Sequence, residues 1–259
     1  MDNLDTPIWS NDGEQVRYMK SRVRGADPKT FEVLLGFYAR DAQQVFFGPV
    51  VCKKMDRDSF RPINACFAVD SHGAYFCIAP LKQADPASFR PLDSGLVHNE
   101  SKHCSGDFLR AGYAADSKAV WFCSGGGIYR LKAGDPASFV SLGNRFGYDR
   151  ERVYFKNRML PDADRATWRH WSGLLSVDKD SVFFTDKRVE GVDRSSAVLL
   201  AVSDCFMDRH RLYSGAQPVS SEQYLGRLKY LEDSCAYERK GLADGSLFQR
   251  LLSEWPQHI

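Results

Sequence analysis

The chain has 259 residues, of which 43% are hydrophobic and 26% charged; this is the balance of a folded globular protein and excludes a disordered or fibrous one. Its 35 basic and 33 acidic side chains leave a formal net charge of +2, so no general attraction to nucleic acid or to an anionic membrane surface is expected. No stretch approaches the roughly 18 consecutive apolar residues of a spanning helix.

The N-terminal stretch MDNLDTPIWSNDGEQ is polar and acidic, without the basic and then apolar regions of a signal peptide. A cytoplasmic chain is expected, or a periplasmic one if a leader has been removed. From residue 9 a signature begins that recurs along the chain: an apolar or aromatic residue, two residues, Asp, three residues, an apolar residue, then two aromatics. It reads WSNDGEQVRY at 9–18 in a degraded first copy, YARDAQQVFF at 38–47, FAVDSHGAYF at 67–76, YAADSKAVWF at 113–122, FGYDRERVYF at 146–155 and LSVDKDSVFF at 175–184. FMDRHRLYSG at 206–215 reads as a shortened version. Its aspartates are Asp12, Asp41, Asp70, Asp116, Asp149, Asp178 and Asp208, separated by 29, 29, 46, 33, 29 and 30 residues. A fixed period of this size marks a repeat architecture.

A second signature, Asp, Pro or Arg, any residue, Ser or Thr, then an aromatic, follows each copy. It reads GADPKTFEVL, KMDRDSFRPI, QADPASFRPL, AGDPASFVSL and DADRATWRHW, with GVDRSSAVLL as its last and weakest form. The 46-residue gap contains an insertion of about 17 residues within DSGLVHNESKHCSGDFLRAG at 93–112. After residue 220 the pattern changes to apolar residues at helical spacing, with Ser220 or Ser221 as candidate cap, which predicts a small helical C-terminal cap over 221–259.

Each half of the unit has a physical reading. Asp favours a turn because its carboxylate accepts backbone N–H groups two residues on. The Val-aromatic-aromatic run that follows suits a strand. Consecutive residues of a strand point to opposite faces, so two buried aromatics leave it no wet face. The first half is therefore a β-hairpin that packs on its neighbours. In DPASF, Asp85 fits a cap and Pro86 the first helical position, and Phe89 can turn inward. Pro91 then limits the element to one turn of α or 3₁₀ helix. The expected fold is mainly β: a tandem array over 1–220 of about seven hairpin-plus-helical-turn repeats of about 29 residues, then the helical cap. With two obvious strands per repeat, an open or strongly curved array is expected ahead of a closed propeller-like ring.

The two signatures in fixed order, [YF]-x-x-D-x-x-x-V-[YFW]-[YF] and then [GA]-D-P-x-[ST]-F, resemble the DKNYY family of bacterial repeat proteins over about residues 9–220. The Lys-Asn that the family carries after the turn Asp is not kept here. The resemblance implies no catalytic motif. It does imply a possible kinship with immunity proteins that neutralise secreted bacterial toxins, such as those of type VI secretion.

Chemistry-bearing motifs are sparse. The seven cysteines are scattered without a CxxC, so a closed zinc site is not signalled; free thiols in a reducing compartment are expected, with one or two disulfides in a periplasmic protein as the alternative. HNESKHC in the insertion, with His98, Glu100, His103 and Cys104, could hold a metal in a loop, but an exposed polar loop is the expectation. CSGGGIY at 123–129 lacks phosphate-loop spacing and reads as a hairpin tip. In TWRHW, Trp168 takes the repeat's core slot, while Arg169 and Trp171 have the composition of an interface anchor. No catalytic residue, metal or cofactor is expected. The expected function is a non-catalytic protein-binding module with one protein partner, in its sharper form an immunity protein that occludes a cognate toxin. A structural or envelope-associated repeat protein, and a metal-binding or enzymatic protein using the insertion, are the alternatives. Candidate partner-binding residues are His98, Glu100, Lys102 and His103 of the insertion, with Arg169 and Trp171. The hairpin tips near Gly125 and Asp186 are further candidates, since loops on a rigid array carry binding.

Overall fold

The structure is a computed structural model that describes residues 9–98 and 108–228. Among these residues the chain forms seven antiparallel sheets in tandem, each a meander or nearly so, followed by one short helix, Ser221–Leu228. The second sheet shows the plan: Glu32–Val33, Tyr38–Arg40, Val45–Phe47 and Val50–Val51 pair in that order. The central pair is the predicted hairpin, with Tyr38 opposite Phe47 and Arg40 opposite Val45. The outer strands are two residues long and were not expected; a strand that short shows no alternation to read. The first sheet has three strands, Trp9–Asn11, Val16–Tyr18 and Ser21–Arg22, and matches the degraded first copy. The last hairpin is not shortened. Cys205–Met207 and Leu212–Ser214 flank Asp208 at full length, with Cys205 in the slot that an aromatic fills in the first five copies and Leu175 in the sixth.

The molecule divides into two compact units, 1–150 and 151–259. Inside the first, three cores among the described residues lie between consecutive sheets. Phe46 joins Val16, Val23 and Ala39, whereas its neighbours Val45 and Phe47 join Tyr38, Ala68 and Tyr75. One strand on, Phe67, Val69, Ala74 and Phe76 face away from Ala68 and Tyr75, into a third cluster with Ala114, Trp121 and Cys123. The paired aromatics thus serve two layers, and the central strands of the second and third sheets have no wet face. The aromatic of the Asp-Pro segment fills the same interlayer space: Phe60 lies 5.4 Å from Tyr38, and Phe89 lies 5.9 Å from Phe67 and 6.5 Å from Trp121. In the second unit Leu175, Val177 and Val182 meet Phe206 and Tyr213, and Val202, Cys205, Met207 and Leu212 meet Tyr224 of the helix. Ser220 and Gln223 form a capping box at that helix start: each backbone N–H donates to the other's side chain, at 2.8 and 3.1 Å. The rest of the predicted cap lies outside the described residues.

The aspartates explain the period. Asp12, Asp41, Asp70, Asp116, Asp178 and Asp208 each accept the N–H groups two and three residues on through one carboxylate oxygen, at 2.7–3.0 Å. In six copies the second oxygen accepts the N–H of the Asp that begins the preceding Asp-Pro or Asp-Arg segment. The bonds run from Asp27 to Asp41 (3.0 Å), Asp56 to Asp70 (2.8 Å), Asp85 to Asp116 (2.9 Å), Asp135 to Asp149 (3.2 Å), Asp164 to Asp178 (3.0 Å) and Asp193 to Asp208 (2.9 Å). The Ser or Thr closes a second link. Ser88 donates to Asp85 at 2.6 Å and accepts the Ser117 N–H at 3.1 Å, and Ser138 repeats this with Asp135 and Arg150. Each segment is therefore clasped to the hairpin that follows it, so the Asp-Pro segment opens a repeat rather than ending one. The segment is a hydrogen-bonded turn in all copies but one; only Arg194–Ser196 is a 3₁₀ helix, capped by Asp193. Where Arg replaces Pro, Arg57 and Arg194 reach back to the carbonyls of Asp41 and Asp178 in the previous sheet, both at 3.0 Å.

Candidate functional site: the hairpin-tip rim

A meander gives every sheet two ends. One carries the aspartate clasp; the other carries two-residue turns that lead into the last strand of each sheet. These turns are Met19-Lys20, Gly48-Pro49, Cys77-Ile78, Lys156-Asn157, Thr185-Asp186 and Gly215-Ala216, and Gly125-Gly126 makes the corresponding tip in the fourth sheet. In the first six the leading residue has a positive φ of 52–59°. Such turns favour glycine there, because a Cβ costs about 1–2 kcal/mol in that region. Met19, Cys77, Lys156 and Thr185 nonetheless occupy it.

The same end carries most of the exposed large apolar side chains. In the first unit these are Met19 (60% exposed), Val50, Ile78 and Tyr129 in or near a tip turn, and Leu35 and Leu142 at the connection between the first and second strands, which lies at the same end. In the second, Met159 follows a tip.

The insertion also enters at this end. It replaces the short connection between the first and second strands of the fourth sheet, from Arg90–Pro91 to Phe108–Ala115. It is not wholly irregular: Leu96–His98 pairs with the start of the long strand, Leu96 opposite Arg110 and His98 opposite Phe108. Asp93 anchors its root. Its carboxylate accepts the N–H of Gly95 (2.9 Å), the N–H of Tyr113 (2.8 Å) and the Ser141 hydroxyl (2.7 Å). Its carbonyl accepts the Asn64 side chain at 3.0 Å. Gly95 has φ +72°, and a Cβ there would lie 2.9 Å from that of Cys66, so the root tolerates no side chain. Arg110 projects from the insertion onto the second sheet, its guanidinium 4.8 Å from the Phe37 ring centre and 5.0 Å from that of Phe47.

Of the residues singled out in the sequence, His98 ends the inserted strand; Glu100, Lys102 and His103 lie outside the described residues. Arg169 and Trp171 share the strand Arg169–Ser172, where the register shifts between His170 and Ser172. Arg169 is exposed. Trp171 is half-buried on the core of the last two sheets, 5.8 Å from Phe206, with the Arg194 guanidinium 5.8 Å from its ring centre. Partial burial, and then the positive charge of Arg169, lower the proton affinity of Arg194. Sequence reading missed an open cleft of about 690 Å³ at the tips of the second unit, lined by Arg158, Asp186, Lys187, Asp204, Ser214 and Arg227 among others. Arg158 and Asp186 pair across it at 2.9 Å. Burial would raise the Asp186 carboxyl, but the Arg158 hydrogen bond with its own N–H and Thr185 outweighs that and lowers it. The only pointer in the sequence was Asp186 as a tip residue.

Among the described residues no group of three or more His, Cys, Asp or Glu side chains has the placement of a metal site, and no helix is long and apolar enough to cross a membrane. The chain matches no protein-family model, no curated protein and no solved structure.

Proposed function

We propose that this chain is a non-catalytic protein-binding module whose hairpin-tip rim, with the insertion, receives one protein partner. The observation that carries this is the division of labour between the two ends of each sheet. The clasp end is repeated with little change and its polar groups are satisfied internally. The tip end varies from copy to copy, holds non-glycine residues at a steric cost, exposes Met19, Leu35, Val50 and Ile78, and takes up the added chain. Apolar residues gathered on one rim mark an interaction surface more often than a solvated one. The sharper form is an immunity protein that occludes a cognate bacterial toxin; it rests on the resemblance of the two signatures to DKNYY repeats.

The test is co-expression with the product of the adjacent gene. The wild-type chain is expected to form a stable complex and to protect cells from that product. A variant in which residues 99–107 are replaced by Asn-Gly keeps the paired strands through a favoured two-residue turn but removes Glu100, Lys102 and His103. It is expected to fold and to lose affinity. Absence of complex and protection with the wild type overturns the immunity form. An Asn-Gly variant that binds as tightly as wild type removes the insertion from the interface.

A further inference from the structure

Two cysteines meet at the tip of the third sheet. The register Phe67↔Phe76 carries Cys66 and Cys77 opposite one another one step further on, and the Cys77 N–H donates to the Cys66 carbonyl at 2.6 Å. Antiparallel partners stand about 4.5–5.5 Å apart at Cα, within the range a disulfide spans. Both side chains border the same core, Cys66 within it and Cys77 packed against it. Their surroundings are unequal. Cys66 is fully buried beneath Gly95 of the insertion root, and Cys77 is only partly buried. Cys77 also holds φ +55° where Gly48 and Gly215 stand in other sheets, so a side chain is kept there against a backbone preference.

We propose that Cys66 and Cys77 form a peroxide-reactive dithiol, Cys77 being the residue attacked first and Cys66 the one that resolves it to a disulfide. The inference does not depend on the binding reading. The Cys77 thiolate attacks one oxygen of hydrogen peroxide: an S–O bond forms, the O–O bond breaks, and hydroxide leaves and takes up the proton released by Cys77. Sulfur is oxidised by two electrons and peroxide is reduced by two. The Cys66 sulfur then attacks the Cys77 sulfur. The S–S bond forms, the S–O bond breaks, and the Cys66 proton leaves with that oxygen as a second water. Two thiols and one peroxide thus give one disulfide and two waters.

The local electrostatics fit these roles. The neighbouring Cys66 thiol holds the Cys77 thiol below its ordinary value; burial opposes this, and the Arg110 charge adds to it. The neighbouring Cys77 thiol and burial push Cys66 up, so Cys77 is the more easily ionised of the two. The Tyr38 hydroxyl lies 2.9 and 3.0 Å from the Cys66 and Cys77 carbonyls and donates to them rather than to sulfur. Burial pushes Cys52 up to about 12 and raises Cys123 and Cys205, which makes them poor nucleophiles.

The reduced full-length chain is titrated with hydrogen peroxide, alkylated, and mapped by peptide mass. Cys77 is expected to react at least about tenfold faster than Cys52 or Cys123, and to end joined to Cys66. Cys66→Ser should trap Cys77 as a sulfenic acid that a dimedone probe labels, while Cys77→Ser should leave Cys66 unreactive. Arg110→Gln should slow the first step without altering the product. Equal reactivity of Cys77 and Cys52, or oxidation of Cys77 to sulfinic acid or to a disulfide with another cysteine while Cys66 stays reduced, overturns the proposal. Circular dichroism of each variant confirms that the readings come from folded protein.

Discussion

Asp116 is the most demanding test of the clasp, because its two halves are separated by the insertion. Its carboxylate is 2% exposed and accepts three backbone N–H groups: Lys118 at 2.7 Å, Ala119 at 2.8 Å and Asp85 at 2.9 Å. The Ala119 N–H is buried; Lys118 is exposed and Asp85 half-exposed, so water can reach their amides once the carboxylate is gone. Orphaning a buried N–H costs about 1–3 kcal/mol, and each rehydrated bond is worth about 0.5–1 kcal/mol, so Asp116→Ala should destabilise the first unit by about 3 kcal/mol. Asp116→Asn keeps an oxygen for Lys118 and Ala119 but presents an NH₂ group to the Asp85 N–H, donor against donor. It should cost less, about 1–2 kcal/mol. Urea unfolding measures both, and amide exchange at Asp85 and Ala119 separates the two links. The clasp is refuted as the organising contact if Asp116→Ala costs under about 1 kcal/mol, or if the Asn and Ala variants are equally unstable with Asp85 exchange unchanged.

Acid should weaken the clasps in a defined window. The Ser59 and Ser71 hydroxyls, in that order, lower the Asp56 carboxyl from 3.8 to about 2. A group lowered on folding contributes stability that is complete above its unfolded value and lost as pH falls toward its folded one. The Asp56 contribution should therefore fade between pH 3.8 and about 2, and Ser59→Ala with Ser71→Ala should move that loss upward in a pH series of melting temperatures. Trp171→Ala should cost about 2 kcal/mol through lost packing on Phe206, while Arg169→Ala leaves unfolding unchanged; if both are neutral in unfolding but weaken partner binding, Trp171 is an interface residue rather than core. Tyr38→Phe should cost about 1 kcal/mol by removing the hydroxyl that ties the second sheet to the Cys66 and Cys77 carbonyls, and a higher urea midpoint than wild type would contradict that role.

What the sequence showed well was whatever the backbone must satisfy in every copy. A turn needs an Asp at one position, two layers need two adjacent aromatics, and the interlayer space needs Phe60 or Phe89, so these residues recur at a fixed period. What it hid was of two kinds. The outer strands, such as Glu32–Val33 and Val50–Val51, are edge segments whose pairing is backbone to backbone, and two residues leave no pattern. The phase of the repeat was hidden because a carboxylate has two oxygens: the turn bonds of Asp41 are local and legible, but the bond to Asp27 closes over 14 residues. Cys205 concealed a complete hairpin by filling an aromatic slot with a small apolar side chain. The meeting of Cys66 and Cys77 follows only from the register of their strands. The insertion stood out as a break in the period, yet the proposal that it binds a partner rests on where it enters the sheet, which the period does not reveal.

That position can be weighed. Elsewhere the clasp spans 14 or 15 residues; across the insertion it spans 31. Closing the longer loop costs only about 0.7 kcal/mol more, because loop entropy grows with the logarithm of length. Nine residues inserted instead between Ala42 and Gln43 would pull apart the Asp41 turn and expose its donors, at about 3 kcal/mol by the reasoning for Asp116. The tip end is thus where chain can be added at little cost to the array, and a surface free to vary there can be shaped by a partner. Replacing 99–107 by Asn-Gly should change the urea midpoint by no more than a few tenths of a kcal/mol in equivalent stability, and the transplant into the Asp41 turn should lower it sharply. A loss above about 1 kcal/mol on excision would mean that the insertion holds the sheets together, and that its presence needs no partner to explain it.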